Sequence, residues 1–323
     1  MKAIRFSKFG GPEVLSPESI DLPPPGPGQV RVQHAAIGVN FIDIYHRSGL
    51  YPVPLPSGLG LEAAGVVEAV GENVRGLKVG DRAGYCTGPI GAYAEANNVA
   101  AERALKLPDG ISDEVAAASL LKGMTAQYLL KRTFPVQRRQ TILFHAAAGG
   151  VGLIACQWAK LLGATVIGTV GSDEKMALAK SHGCDHVLNT REGNWANRVR
   201  ELTNGKGVPV VYDSIGKDTW NGSLDCLAVR GMMVSFGNSS GAVPAIEPGI
   251  LSAKGSLYLT RPTLFHYTST PEELQATADD LFAVIKSGAV KIEINQRFKL
   301  ADASKAQEVL ASRATTGATI LVP

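Results

Sequence analysis

Between Thr141 and Thr260 the chain repeatedly alternates short apolar runs with segments of helical character, and few folds accept such a pattern. The apolar runs are Thr141–Ala146, Ala164–Val170, His186–Leu188, Val208–Asp213, Gly231–Phe236 and Ser256–Thr260. A helix is predicted over Gly150–Leu162, and another from Ser172 to a stop at Gly183. Strands that are apolar throughout, not on alternate residues, are buried on both faces. That is the signature of a parallel sheet covered by helices on either side. Six such strands predict a doubly wound dinucleotide fold.

The residues before this stretch have a different texture. Val30–Ala36, Ala64–Val70 and Gly91–Val99 are short and β-leaning, and Gly/Pro clusters such as 22–28 and 50–56 separate them. This predicts a compact, barrel-like β domain. Ser112, followed by Asp113 and Glu114, starts a capped helix. After the sheet, Thr270-Pro271-Glu272-Glu273 opens a further helix, with proline at the first helical position and acids in the first turn. A strand over Lys291–Lys299, a helix ending before Gly317 and a last strand over Ala318–Val322 complete the tail. Too few residues remain there for a third core. The expected division is therefore 1–122, 123–262, and a segment 263–323 that returns to the first domain.

Composition narrows the functional classes. With 32 Lys and Arg against 29 Asp and Glu, the net charge of +3 provides no field for phosphate polymers, so nucleic acid is not expected as the main partner. A chain with 45% hydrophobic and 19% charged residues has ample apolar surface to fold. The four cysteines form no C-x-x-C pair, which fits a reducing compartment. No apolar run backs the basic residues near Met1, and no stretch approaches a spanning helix. A cytoplasmic protein without membrane insertion is expected.

The sharpest local signal is Phe144-His145-Ala146-Ala147-Ala148-Gly149-Gly150-Val151-Gly152, which follows a strand and opens a helix. In that context glycine lets the backbone approach a pyrophosphate and aims helix amides at it, so Ala148, Gly149, Gly150 and Val151 are candidate cofactor contacts. The same run in isolation would equally suit an ordinary strand-to-helix turn. The second strand ends in Gly171, not in an acid that would bond a ribose 2′-hydroxyl. Gly171 leaves room, Ser172 offers a hydroxyl at a helix start and Lys175 a cation, a set suited to a 2′-phosphate and hence to NADPH. Asp173 and Glu174 weigh against this, although acids are ordinary in a first helical turn.

Several motifs together resemble the zinc-free, zeta-crystallin-like quinone oxidoreductases of the medium-chain dehydrogenase/reductase superfamily. They are Gly10-Gly11-Pro12-Glu13-Val14-Leu15, Ile37-Gly38-Val39-Asn40-Phe41-Ile42-Asp43, Arg47-Ser48-Gly49-Leu50-Tyr51-Pro52, Leu121-Lys122-Gly123-Met124-Thr125, the glycine loop, 235–241 and Ser312-Arg313-Ala314-Thr315. The resemblance implies a GroES-like catalytic domain, a Rossmann domain, a homodimer and NADPH-dependent reduction of a small quinone. It also implies that Asn40, Tyr45, Tyr51 and Thr125 border the nicotinamide and substrate. Ser172, Lys175 and Arg313 would face the adenosine 2′-phosphate or the diphosphate end, and Phe236, Asn238 and Ser239 would lie along the cofactor near the nicotinamide. Close members carry a tyrosine where this chain has Thr190, which can donate a hydrogen bond but cannot stack.

Zinc-dependent relatives have a histidine before the glutamate of a Gly-His-Glu motif, and this chain reads Gly60-Leu61-Glu62. A cysteine near Asn40 and a four-cysteine lobe are also missing, so no metal is expected. Without one, the cofactor carries the chemistry and the protein supplies placement. Asn40, Tyr45 and Tyr51 are the candidates for orienting a quinone and stabilising its developing oxyanion; loop packing is the competing explanation for the two tyrosines. Reduction of α,β-unsaturated carbonyls, as in enoyl or alkenal reductases, is the alternative enzymatic reading. A nucleotide-regulated RNA-binding or crystallin-like structural role is the alternative from another class.

Overall fold

The computed structural model describes residues 1–323. The chain folds into two compact units, one formed by residues 1–124, 268–286 and 292–323, the other by residues 125–267 and 287–291.

The second unit holds the parallel sheet. Its strands in chain order are β1 (Thr141–Phe144), β2 (Thr165–Val170), β3 (His186–Asn189), β4 (Val208–Asp213), β5 (Leu227–Ser235) and β6 (Tyr258–Thr260). They lie in the order β3-β2-β1-β4-β5-β6, every neighbouring pair parallel. Strand order therefore reverses at β1, and ligands of such sheets sit beyond the carboxyl ends of the strands at that point. The helix after β1, α1 (Gly150–Leu161), buries Gly152, Ala155, Cys156 and Ala159 at helical spacing. Leu143, Ile167, Val208, Val211 and Met233 of the sheet join Trp195, Trp220 and Leu224 of its helices in one core cluster. Full burial of such side chains contributes roughly 1.5–3 kcal/mol each.

The first unit is β-rich. Its main sheet runs through Ile294–Lys299, Ala318–Val322, Gln29–Val39, Glu62–Val70, Arg82–Tyr85 and Leu105–Lys106, with Ala96–Ala100 also paired to Gln29–Val39. A smaller sheet joins Ser16–Ser19, Lys2–Phe6 and Ser57–Gly58. The C-terminal strand pairs antiparallel with the end of Gln29–Val39, Ile320 opposite Gly38. Ile4, Phe6, Val30, Val32, Ile37, Tyr85, Tyr93 and Val99 fill the core, and Leu300, Leu310 and Leu321 pack into the same cluster.

Several boundaries differ from the sequence reading, and three of them have a clear local reason. Of the run Gly91–Val99 only the part from Ala96 is strand, and it continues to Ala100. The first residues of the run make single crossing bonds instead, Ile4 N to Tyr93 O at 2.8 Å and Tyr93 N to Leu59 O at 2.8 Å. β5 begins at Leu227, four residues before Gly231, and absorbs a register shift around Arg230, whose φ is +61°. The tail strand starts at Ile294, not Lys291, because Lys291 N and O are both bonded to the Gln157 side chain.

Candidate cofactor and substrate site

β1 ends at Phe144, and the chain turns through Ala146 at φ +52°, an uncommon conformation for a residue with a Cβ. Two backbone bonds fix it there: Ala147 N donates to Thr169 O at 2.9 Å, and Gly149 N to Ala146 O at 2.9 Å. Gly149 then caps α1. No side chain caps this helix and its first turn contains no acid, so no side chain of its own answers the positive end of the helix dipole. Such an N-terminus suits a phosphate. Gly152 must be glycine for packing, because a Cβ there would stand 2.2 Å from Ala146 O. Ala148 is buried, and Gly149, Gly150 and Val151 are half-buried at the loop surface.

Beyond β2, Gly171 is exposed, and a Cβ on it would meet nothing within 4 Å. Ser172 and Lys175 flank a short turn, both half-buried. The acid Asp173 is held by Asn189, whose Nδ2 donates to Oδ1 at 2.9 Å. Thr190 Oγ1 donates to Val170 O at 3.2 Å, which commits that hydroxyl proton to the backbone. Beyond β5, Phe236 N donates to Asp213 O at 2.8 Å, and its ring lies 5.8 Å from that of Phe144. Asn238 donates to Gly237 O and accepts from Arg261 Nη2 at 3.0 Å. Ser239 N donates to Ser214 O at 3.1 Å. Thr125, the first residue of this unit, is buried.

The other candidates lie in the first unit. Asn40 precedes the helix Phe41–Ser48. Its backbone N donates to Asp43 Oδ2 at 2.8 Å and its Nδ2 to Glu62 Oε2 at 2.8 Å. Glu62 also accepts from Leu121 N at 2.7 Å through Oε1 and from Lys122 Nζ at 3.1 Å through Oε2. Gly38 makes space for this carboxylate, because a Cβ there would lie 2.1 Å from Glu62 Oε2. Asp43 also accepts from Tyr93 Oη at 2.9 Å, while its buried Oδ1 has no partner. Burial raises its pKa to about 7. Tyr45 is buried and meets the half-buried Tyr51 edge-on at 5.1 Å, and Tyr51 N donates to Tyr45 O. Arg313 is exposed, at φ +60°.

Thus Asn40, Tyr45, Tyr51 and Arg313 belong to one unit; Thr125, the glycine loop, Gly171, Ser172, Lys175, Thr190, Phe236, Asn238 and Ser239 belong to the other. The sequence reading did not single out Asp43, Glu62 and Lys122 as site residues, although a signal existed. Glu62 interrupts the run Leu61–Val67 and Lys122 the run Ala116–Met124, and opposite charges inside apolar runs must find each other.

No group of three or more His, Cys, Asp or Glu side chains is placed to hold a metal ion. The residues present therefore do not fit a zinc site.

Residues 26–109 match the alcohol dehydrogenase GroES-like domain family, and residues 150–282 the family named zinc-binding dehydrogenase. A quinone oxidoreductase of Pseudomonas aeruginosa is 59% identical over 100% of this chain and 99% of its own length. A 2-haloacrylate reductase of a Burkholderia species is 46% identical, over 98% of this chain and 97% of its own. The crystal structure of Escherichia coli quinone oxidoreductase complexed with NADPH superposes with a TM-score of 0.99 at 52% identity, covering 100% of both chains. The chain belongs to the quinone oxidoreductase family of the medium-chain dehydrogenase/reductase superfamily.

Proposed function

We propose that this protein is an NADPH-dependent quinone reductase that works without a metal. The observation that carries the reading is the uncapped N-terminus of α1 beneath the glycine loop, at the reversal of strand order. Its likeness to an NADPH-bound quinone oxidoreductase over both full chains supports the choice of cofactor. When bound, NADPH supplies a hydride from its dihydronicotinamide ring.

The residues of the chain bind and orient. Ala148, Gly149, Gly150 and Val151 receive the diphosphate against the helix dipole. Gly171 leaves space for the adenosine 2′-phosphate, with Ser172, Lys175 and Arg313 as its hydrogen-bonding and cationic partners and Thr190 beside it. Thr125, Phe236, Asn238 and Ser239 border the nicotinamide half. Asn40, Tyr45 and Tyr51 orient the quinone and donate hydrogen bonds as charge develops on its oxygen. A quinone is already electron-poor, so none of these residues has to act as an essential base.

A homodimer accompanies this reading. β6 is an edge strand whose Tyr258 and Leu259 are 60% and 39% exposed, and an open edge of that kind is a pairing surface. A cytoplasmic setting agrees with four buried free cysteines. No helix is long and apolar enough to cross a membrane.

The test is NADPH oxidation against NADH oxidation with 1,4-benzoquinone in chelator-treated buffer. The expected result is turnover with NADPH preferred and no response to added zinc. No oxidation of either nucleotide would overturn the reading. The similarity to 2-haloacrylate reductase favours one alternative, reduction of an activated C=C bond. Parallel assays on α,β-unsaturated carbonyls decide between them.

A further inference from the structure

Directly after β1, the imidazole of His145 is fully buried and belongs to a chain of side chains that joins three neighbouring strands, β2, β1 and β4. Its Nδ1 lies 2.7 Å from Thr169 Oγ1 at the end of β2, and its Nε2 lies 2.9 Å from Ser223 Oγ. Ser223 Oγ donates to Asp213 Oδ2 at 2.7 Å. Asp213 ends β4. Its carboxylate also accepts from Thr219 Oγ1 at 2.7 Å and from the amides of Ile215 and Gly216 at 2.8 and 3.0 Å.

The direction of every proton in this chain follows from its end. Four donors converge on Asp213, so its carboxylate acts as acceptor throughout and the Ser223 proton points at it. Ser223 Oγ then accepts from His145 Nε2–H, which leaves Nδ1 to accept the Thr169 proton. Burial lowers the histidine pKa, against the pull of Asp213, and so favours the neutral ring this arrangement needs. His145 Nε2 lies 4.0 Å from Asp213 Oδ2, too far for a direct bond, and Ser223 bridges the gap.

Each end of the chain meets a segment assigned above to the cofactor. Thr169 O accepts from Ala147 N of the glycine loop, and Gly171 and Ser172 follow Thr169 by two and three residues. Asp213 O accepts from Phe236 N, and Ser214 O from Ser239 N. The two loops lie so close that a Cβ on Gly237 would stand 2.5 Å from Ser214 O.

We propose that His145 is a positioning residue for the dinucleotide, which through Thr169 and Ser223–Asp213 holds the adenosine-phosphate turn, the glycine loop and the Phe236–Ser239 segment at the spacing the whole cofactor requires. This rests on the NADPH reading above. Such a spacing device acts on the intact dinucleotide more than on a fragment bound at one end.

The test measures binding of NADPH and of 2′,5′-ADP to the full-length protein by calorimetry, alongside melting temperature. Thr169→Val keeps the shape and removes the proton donated to His145; Thr169→Ser restores it; Ser223→Ala cuts the chain on the other side. Thr169→Val and Ser223→Ala are each expected to weaken NADPH about tenfold, the scale set by an unsatisfied buried polar group, and to change 2′,5′-ADP less than about threefold. Thr169→Ser stays within about twofold of the parent for NADPH, and the double variant Thr169→Val/Ser223→Ala is no weaker than its worse single change. Equal loss for NADPH and 2′,5′-ADP, equal behaviour of the valine and serine variants, or additive losses would each overturn the proposal. Should the parent protein bind NADPH while Thr169→Val is unaffected, only this inference falls; should the parent bind no NADPH, the functional reading falls first.

Discussion

Lys122 Nζ lies 3.1 Å from Glu62 Oε2, and the two side chains are only 6% and 0% exposed. The carboxylate also accepts from Asn40 Nδ2 and Leu121 N, so one buried anion fixes a helix, a strand end and the residue assigned to the substrate. Breaking one partner of such a pair leaves an uncompensated buried charge, which costs about 3–5 kcal/mol, whereas removing both charges costs far less. Lys122→Met is therefore expected to lose about that much stability in urea denaturation. Glu62→Gln/Lys122→Met recovers part of it: the glutamine oxygen still accepts from Leu121 N, and the Asn40 amide must turn so that its oxygen accepts from the new Nε2. A single variant within about 1 kcal/mol of the parent would show that the pair behaves like an exposed one.

Asp43 produces a pH dependence of known sign. The folded protein holds its proton up to about pH 7, whereas the unfolded chain releases it near 3.8, so folding binds a proton between those values. Stability falls as pH rises through that window, by about 4 kcal/mol in all. Asp43→Asn removes this slope and keeps an oxygen to accept from Asn40 N and Tyr93 Oη. The parent should therefore lose stability relative to Asp43→Asn between pH 4 and 7 and run parallel to it above. His34 contributes the opposite slope. Burial pushes its pKa down to about 4, so its contribution rises with pH from about 4 to about 6.5, equally in both proteins. Parallel stability curves from pH 4 to 7 would show that Asp43 titrates normally.

Apolar runs made the parallel sheet legible, because β1, β2 and β4 are buried almost throughout and are mostly Val, Ile, Leu and Phe, with their polar residues at or near the strand ends. The glycine loop was legible for a related reason: Gly152 has no room for a Cβ and Gly149 carries no cap. The polar interior was not. Thr169, Ser223 and Asp213 come from three elements, and nothing in their local spacing says that His145 joins them. Glu62 and Lys122 are likewise sixty residues apart. Thr190 shows a smaller limit, since only the fold reveals that its hydroxyl donates to Val170 O.

Gly152 and Gly171 differ in what surrounds them, and alanine separates packing from ligand space. At Gly152 the new methyl would collide with backbone, Ala146 O at 2.2 Å and Ala147 Cα at 2.8 Å, neither able to swing aside. Gly152→Ala is expected to cost about 1–3 kcal/mol of stability and to weaken NADPH binding as the loop shifts. At Gly171 the methyl meets nothing, so Gly171→Ala keeps stability within about 0.5 kcal/mol of the parent. Thermal denaturation of the two variants checks the contrast, and an unperturbed melting temperature for Gly152→Ala would contradict the close approach.

Lys175 is a cation that the chain offers beside Ser172 at the end of β2; of the two acids between them, Asp173 is engaged by Asn189, and Glu174 interacts with both Ser172 and Lys175. A hydrogen bond to a charged phosphate contributes about 1.5–3 kcal/mol when shielded, and less at a half-exposed site such as this one. Lys175→Ala is therefore expected to lower kcat/KM for NADPH about tenfold, a loss of roughly 1.4 kcal/mol, while NADH, which has no 2′-phosphate, changes little. Added salt should narrow the gap between parent and variant, because the lost interaction is screened. The ratio of kcat/KM for the two nucleotides at low and high salt is the measurement. An equal decline with NADPH and NADH would place Lys175 away from the 2′-phosphate.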